Sequence, residues 1–185
     1  GVITNASPDH FGMKVTNELF DMFKAQVKTE VIDGRERSSV DSCRIDVSAE
    51  GSCFEYEGTS YSLSCPGAHN VENAICAIRI GRILGIDSAT VAGALARFPG
   101  VRRRLEAVGR AGGVRVIDDF AHNPAKITAA WNSISPSCRR VLAVWRPHGF
   151  GPLRSMRDRL VDVFCELCGT DDRLFLRPVY YAGGT

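Results

Sequence analysis

The sequence predicts an α/β protein made of two modules, residues 1–100 and 101–185. Three observations support this fold class. Residues 43–67 alternate apolar and polar side chains in short runs broken by glycines, which is typical of an antiparallel meander. From Val114 onward, apolar runs of strand length alternate with helical patterns, which is typical of a mostly parallel sheet with crossover helices. Between these regions, Pro99-Gly100 ends a helical pattern and a basic run begins, so we place the module boundary there.

The first module is predicted to begin with a strand and a short helix. Val2 to Thr4 form an apolar run that ends at once in a turn, and Thr16 is a candidate N-cap for the helix. Two longer helices follow the meander, because Gly85 is placed to end one and Asp87 or Ser88 to begin the next. The apolar residues at helical spacing are Val71, Ile75 and Ile78 in the first and Val91, Leu95 and Phe98 in the second.

The second module is predicted to contain three strands, residues 114–120, 139–145 and 172–181. Asn123 followed by Pro124 has the pattern of an N-cap and a first helical residue, so a helix should separate the first two strands. A longer amphipathic helix should separate the last two. Its apolar face consists of Leu153, Met156, Leu160, Val163, Phe164 and Leu167.

The composition is that of an ordinary globular protein and excludes several classes. Of 185 residues, 44% are apolar and 24% are charged, and the net charge of +2 is too small to indicate a nucleic-acid or membrane partner. Seven scattered cysteines predict reduced, mostly buried thiols in a cytoplasmic protein. Cys165 and Cys168 form a CxxC motif. We interpret them as apolar helix residues and not as a metal or redox site, because no second pair or nearby histidine completes the set.

Three strand ends carry groups of polar residues. They are Asn5, Asp9 and His10 in the first module, Asp118, Asp119, His122 and Asn123 after residues 114–120, and Arg146 and His148 after residues 139–145. Ligands of doubly wound sheets bind at the carboxyl ends of strands, where aspartate can hold ribose or metal and histidine can bind metal, phosphate or carboxylate. A single group of this kind would be an ordinary turn and helix cap. Three together favour a ligand site.

Two further segments allow more than one interpretation. The basic run at residues 100–106 could be a solvated linker, a nucleic-acid patch or a phosphate-binding loop, and the patch lacks interleaved aromatic residues. His69, Asn70 and Asn73 lie on one side of a helix start. The side-chain amides of the two asparagines could read the edge of an adenine, or Asn70 could simply cap the helix.

In order along the chain, the motifs "TNASPDH", "PGAHNVENA", "GVRRRLE", "VIDDFAHNPAKI", "RPHGFGPLR" and "VYYAGGT" resemble those of the Mur ligase family, and most closely its alanine-adding branch. The resemblance covers nearly the whole chain. It implies the second part of a central ATPase domain in residues 1–100 and a truncated Rossmann-like C-terminal domain in residues 101–185. It also implies an ATP- and Mg²⁺-dependent ligase of peptidoglycan precursor synthesis, which joins an amino acid, in this branch L-alanine, to UDP-N-acetylmuramate through an acyl-phosphate.

Matched motif by motif, the resemblance assigns a role to each candidate residue. On the nucleotide side, His10 falls on the histidine of the Mg²⁺ site and Asp119 on the aspartate that holds the ribose. His69, Asn70 and Asn73 fall on the segment that binds adenine.

On the reacting side, Arg104 falls on a catalytic arginine that approaches the nucleotide phosphates. His122 falls on a catalytic histidine at the domain interface, and His148 on a histidine near the amino-acid substrate.

The chain departs from the family pattern in ways that leave the added group open. Gly149 stands where the alanine-adding enzymes usually have arginine, and Asn123 stands where they often have a second histidine. A ligase that recycles a whole tripeptide and a non-catalytic nucleotide-sensing module are the alternatives. The phosphate-binding GxxGK[ST] loop of the family matches no stretch of the sequence, so we expect a part of a longer protein that is inactive alone.

Overall fold

The computed structural model describes residues 1–4, 13–35, 44–48 and 51–181. The chain divides into two compact units, Gly1–Gly100 (unit 1) and Val101–Thr185 (unit 2), and each is described by itself. Both units contain helices and paired strands, and parallel strand pairs occur in each. The predicted α/β class is therefore confirmed.

Unit 1 combines a parallel strand pair with an antiparallel meander. Strand β1 (Val2–Ile3) pairs in parallel with β2 (Ile32–Asp33), and helix α1 (Met13–Gln26) lies between them in the chain. The predicted meander consists of three antiparallel strands, β3 (Ile45–Val47), β4 (Ser52–Tyr56) and β5 (Thr59–Leu63). Two helices follow, α2 (Ala68–Ile83) and α3 (Ser88–Arg97).

The core of unit 1 forms where α2 and α3 pack on one face of the meander. Alternate residues of β4 and β5 point inward, as the two-residue period of a strand requires, and they meet the apolar face of α2. The buried cluster consists of Phe54, Tyr56, Tyr61, Leu63, Val71, Ala74, Ile75 and Ile78. The helical spacing predicted at residues 71, 75 and 78 is therefore confirmed as a core face.

A buried carboxylate fixes the end of β2. Asp33 is 5% exposed, and its Oδ2 lies 2.7 Å from Arg35 Nη2 and 2.6 Å from Lys24 Nζ. The hydrogen bonds from Arg35 hold the pKa of this carboxyl far below its ordinary value, since they stabilise the ionised form more than burial penalises it. Asp33 thus joins the last turn of α1 to the segment after β2.

Unit 2 contains an antiparallel hairpin and a parallel strand pair. Strand β6 (Glu106–Ala111) pairs with β7 (Val114–Asp118) across Gly112-Gly113, both of which have positive φ. Helix α4 (Pro124–Ile134) precedes β8 (Leu142–Trp145), and α5 (Phe150–Leu167) lies between β8 and β9 (Arg173–Leu176). Strands β8 and β9 pair in parallel, as predicted.

The pairing of β7 differs from the sequence prediction. We expected residues 114–120 to join the parallel sheet, whereas their strand partner among the described residues is β6. Two glycines in the left-handed region form a tight two-residue turn whose twist suits a hairpin, so the segment before them folds back onto β7. Residues 106–111 were not predicted as a strand, because they lack an apolar pattern. In the structure all of them but the first are exposed, which explains the missing pattern.

The cysteines are less buried than predicted. Of the six that the structure describes, only Cys76 is buried, while Cys53, Cys138 and Cys165 are exposed. Cys53 occupies an outward position of β4, so its place in an apolar-looking run did not indicate burial. None of the described helices is long and apolar enough to cross a membrane.

Candidate functional site

The predicted site residues fall into two groups, one in each unit. His69, Asn70 and Asn73 lie in the first turns of α2 in unit 1. Arg104, Asp119, His122 and His148 lie in loops of unit 2, as do Asn123 and Arg146. Asn5, Asp9 and His10 lie outside the described residues.

The arginine loop, residues 101–105, leads into β6 with an unusual backbone. Arg103 and Leu105 adopt φ values of 58° and 50°, a left-handed conformation that costs energy in residues with a side chain. Arg104 stands between them, with its amide donating to the carbonyl of Val101 at 3.1 Å. Leu105 is only 8% exposed, so its amide needs a partner inside the protein.

Asp119 supplies that partner at the end of β7. Its Oδ2 accepts a hydrogen bond from Leu105 N at 2.8 Å, and its Oδ1 accepts one from Ala121 N at 2.7 Å. The amide of Phe120 also donates to the carbonyl of Arg103 at 2.9 Å. Two hydrogen bonds therefore join the arginine loop to the loop after β7, one through Arg103 and one through Leu105. Arg104 lies between these two residues.

Phe120 is a member of this site that sequence reasoning missed. The guanidinium carbons of Arg103 and Arg104 lie 4.7 Å and 5.9 Å from its ring centre. The rings of His122 and His148 approach it edge-on, with centroids at 5.3 Å and 5.9 Å. A phenylalanine after a strand gives no chemical signal in the sequence, although its neighbours do.

His122 is held by two hydrogen bonds. Its Nδ1 lies 2.8 Å from the carbonyl oxygen of Phe120, and its Nε2 lies 3.2 Å from Lys126 Nζ. A carbonyl can only accept and an ammonium can only donate, so this pattern places the ring proton on Nδ1 and directs the Nε2 lone pair at Lys126. Lys126, in the first turn of α4, is therefore a second cationic group of the site.

Asn123 caps α4 as predicted. Its Oδ1 accepts from Lys126 N at 2.9 Å, and Pro124 occupies the first turn. Asn123 is fully buried, and its Nδ2 has no hydrogen-bond partner among the residues that the structure describes. The loop after β7 is also joined to the end of β8, since Trp145 Nε1 donates to the carbonyl of Ala121 at 3.2 Å.

His148 lies beyond the carboxyl end of β8, against the segment that follows β9. Its ring stacks on Tyr180 with a centroid distance of 5.4 Å and an interplanar angle of 11°. The guanidinium of Arg146 lies 5.0 Å from the ring centre of Tyr180 and donates to the carbonyl of Pro178 at 3.2 Å. The ends of the two parallel strands thus meet, as expected for a ligand site in such a sheet.

The start of α2 differs from the interpretation in which Asn70 caps the helix. The N-cap of α2 is Gly67, and Asn70 donates from Nδ2 to the carbonyl of Pro66 at 2.7 Å. The interpretation of Asn70 as the cap is therefore wrong, because a left-handed glycine starts the helix and Asn70 instead ties back to the preceding turn. Asn73 is exposed and His69 is half-buried on the same first turns.

The loops of unit 2 form a cationic and aromatic surface suited to an anion. The basic residues in or beside these loops include Arg102, Arg103, Arg104, Lys126, Arg146 and His148. The nearby carboxylates are engaged within the loops, since Asp119 binds two amides and Asp118 lies 3.6 Å from Arg103. Such a surface can bind phosphate or carboxylate groups. Within the described ranges, no group of three or more His, Cys, Asp or Glu residues could hold a metal ion.

Comparison with known proteins identifies the family. Residues 103–173 match the family model described as Mur ligase, glutamate ligase domain. A UDP-N-acetylmuramate–L-alanine ligase of Cereibacter sphaeroides is 36% identical over 87% of this chain and 33% of its own length. One of Rhizobium johnstonii is 40% identical over 72% of this chain and 27% of its own length. The chain thus spans about a third of these relatives.

A solved structure supports the fold. The UDP-N-acetylmuramate-alanine ligase of Thermotoga maritima superposes with a TM-score of 0.71 and 24% identity, covering 97% of this chain and 45% of that one. The family model includes the four residues of unit 2 predicted to form the site, Arg104, Asp119, His122 and His148. The chain belongs to the Mur ligase family.

Proposed function

We propose that this chain is part of an ATP-dependent ligase that joins an amino acid, L-alanine, to UDP-N-acetylmuramate. The observation that carries the proposal is in unit 2, where Arg104, His122 and His148 come from three loops and lie around the ring of Phe120, while Asp119 binds the arginine loop beside it. The names of relatives at 36% and 40% identity support the choice of substrates. We also propose that unit 1 is the second half of the central ATP-binding domain and unit 2 the C-terminal domain.

The reaction has two steps. A carboxylate is a poor electrophile, so one of its oxygens first attacks the γ-phosphorus of ATP, and ADP leaves. The amine nitrogen then attacks the carbonyl carbon of the acyl-phosphate, the bond from that carbon to the phosphate oxygen breaks, and a proton leaves the amine. The demand on the protein is mainly positioning and positive charge around the transferred phosphoryl group.

The residues of unit 2 meet that demand as follows. Arg104 would neutralise charge on the phosphates, since its guanidinium is exposed and carried by a braced loop. Asp119 would accept hydrogen bonds from the ribose, because each of its oxygens accepts one amide and retains a second lone pair. His148 would hold the carboxylate of the incoming amino acid. His122 would hold the Lys126 ammonium through its Nε2 and not act as a free base, and Lys126 would supply the positive charge at the reacting group.

The remaining roles rest on the family resemblance. His69, Asn70 and Asn73 would lie along the adenine, although Nδ2 of Asn70 is already used by Pro66. Mg²⁺ would accompany ATP and polarise its phosphates. His10, the residue predicted to hold it, lies outside the described residues, and we assign no step to the metal. The reaction would take place in the cytoplasm.

The experiment is phosphate release by the full-length protein. ATP, Mg²⁺ and UDP-N-acetylmuramate are supplied with L-alanine, with a tripeptide or with no amine. The proposal expects release that depends on L-alanine and falls at least a hundredfold in Arg104→Ala, a loss of roughly 2.7 kcal/mol of transition-state stabilisation. Arg102→Ala is the matched control, because the Arg102 side chain is 94% exposed and lies two residues away.

Each alternative predicts a different result in the same assay. Release that depends on the tripeptide and not on L-alanine would identify a recycling ligase. Binding of ATP with no release under any condition would identify a nucleotide-sensing module and reject the ligase.

A further inference from the structure

We infer that Phe120 is a positioning residue, which holds Arg104 and His148 in one arrangement although they belong to different loops. The importance of this role for catalysis rests on the proposed function, but the effect of Phe120 on the order of Arg104 and His148 can be tested separately. Phe120 itself is not expected to touch a substrate. It acts through the side chains that do.

The ring of Phe120 contacts three of the predicted site residues. The guanidinium of Arg104 lies over the ring at 5.9 Å, where the negative face of the π-system attracts a cation. The rings of His122 and His148 meet it at interplanar angles of 70° and 61°, which is the favoured edge-on geometry of aromatic pairs. One side chain therefore links the arginine loop, the loop after β7 and the loop after β8.

The backbone of Phe120 is fixed as firmly as its ring. Its amide donates to the carbonyl of Arg103 at 2.9 Å, and its carbonyl lies 2.8 Å from Nδ1 of His122. The neighbouring residue, Asp119, holds Leu105 N. The backbone of Phe120 is thus anchored to the arginine loop and within its own loop, and it cannot shift without breaking these bonds.

The aromatic character of the ring matters as well as its size. Arg103 and Arg104 carry like charges and are exposed, so they would separate and sample many rotamers in water. Arg103 is restrained by Asp118 at 3.6 Å, whereas the guanidinium of Arg104 contacts the ring of Phe120. A leucine would fill similar space without attracting a guanidinium. Arg104 would then lose its restraint, and His148 would keep only its stack on Tyr180.

The test compares four variants of the 185-residue chain. Phe120→Leu and Phe120→Met remove the π-system, and methionine keeps the length of the side chain in case leucine folds poorly. Phe120→Tyr keeps the ring and should restore wild-type behaviour. Phe175→Leu is the matched control, because Phe175 is an exposed aromatic residue on β9.

The first measurement is the NMR order parameter of Arg104 Nε and of the His148 ring. Both should fall in Phe120→Leu and Phe120→Met and remain at wild-type values in Phe120→Tyr and Phe175→Leu. A lower melting temperature with unchanged order parameters would show that Phe120 only packs, and this would overturn the inference.

The second measurement is the kinetics of the same variants in the full-length enzyme. The kcat/KM for ATP should fall about tenfold in Phe120→Leu and recover in Phe120→Tyr. Wild-type kinetics in Phe120→Leu would also overturn the inference. If the wild-type enzyme shows no ligase turnover, the proposed function fails, and the order parameters still decide the role of Phe120.

Discussion

Removing the Asp119 carboxylate should destabilise unit 2 strongly, although the residue is only half-buried. Asp119→Ala breaks the bonds from Leu105 N and Ala121 N, at 2.8 Å and 2.7 Å. Hydrogen bonds to a charged group contribute about 1.5–3 kcal/mol each, and partial exposure lowers this figure. We therefore expect a loss of about 2–4 kcal/mol in the free energy of unfolding. Part of that loss arises because the amide of the buried Leu105 keeps no partner.

The assay is urea unfolding followed by tryptophan fluorescence. Both tryptophans, Trp131 and Trp145, lie in unit 2, so the signal reports that unit alone. The matched control is Asp118→Ala, whose half-exposed carboxylate makes a longer ion pair with Arg103 and should contribute less than about 1 kcal/mol. Equal losses in the two variants, or an unchanged midpoint in Asp119→Ala, would refute the role of Asp119 as the brace of the arginine loop.

Two further predictions concern the fold. Because hydrogen bonds from Arg35 hold the pKa of Asp33 below its ordinary value, the ionised form stabilises unit 1 at pH 7. This contribution is complete above the unfolded pKa of about 4 and is lost as pH falls below it, by up to ~1.4 kcal/mol per pH unit. Urea unfolding followed by circular dichroism should show this loss in the free energy of unfolding. In Asp33→Asn the free energy of unfolding should depend less on pH. Gly113→Ala should cost about 1 kcal/mol, because φ is 79° and no atom lies near the added methyl group. Gly109→Ala is the control, since it has equal space and no positive φ; equal midpoints in the two variants would contradict the hairpin turn.

Features decided by neighbouring residues were predictable from the sequence. The N-cap of α3 at Asp87 is confirmed by a bond from Thr90 N at 2.8 Å, and the cap of α4 at Asn123 is confirmed in the same way. Gly85 has a φ of 72° directly after the last turn of α2, as its position suggested. These outcomes depend on bonds that span three or four residues, so local chemistry suffices.

Features decided by pairing across the chain were not predictable. Strand β6 carries no apolar pattern, and its existence depends on the turn at Gly112-Gly113. The bond from Leu105 to Asp119 joins residues 14 apart, and the left-handed φ of Leu105 has no signature in a leucine. The contact of Phe120 with His148 joins two loops that are separated by a helix and a strand. The sequence indicated the polar and charged residues of the site, but it did not indicate Phe120, which connects three of them.

The double engagement of Asp119 changes how its proposed ribose contact must be tested. An alanine variant would lose stability through Leu105 and Ala121 whether or not ATP is bound, so lower stability cannot argue against nucleotide binding. Asp119→Asn separates the two roles. Its single carbonyl oxygen can keep one amide bond and one acceptor site for the ribose, which should retain about half of the stability. Its NH₂ group cannot accept from a ribose hydroxyl, so the second ribose bond and the negative charge are lost. If the ribose contact is real, the KM for ATP should rise about tenfold in Asp119→Asn, equivalent to ~1.4 kcal/mol, at a temperature where unit 2 remains folded. An unchanged KM for ATP would assign Asp119 to bracing the arginine loop alone.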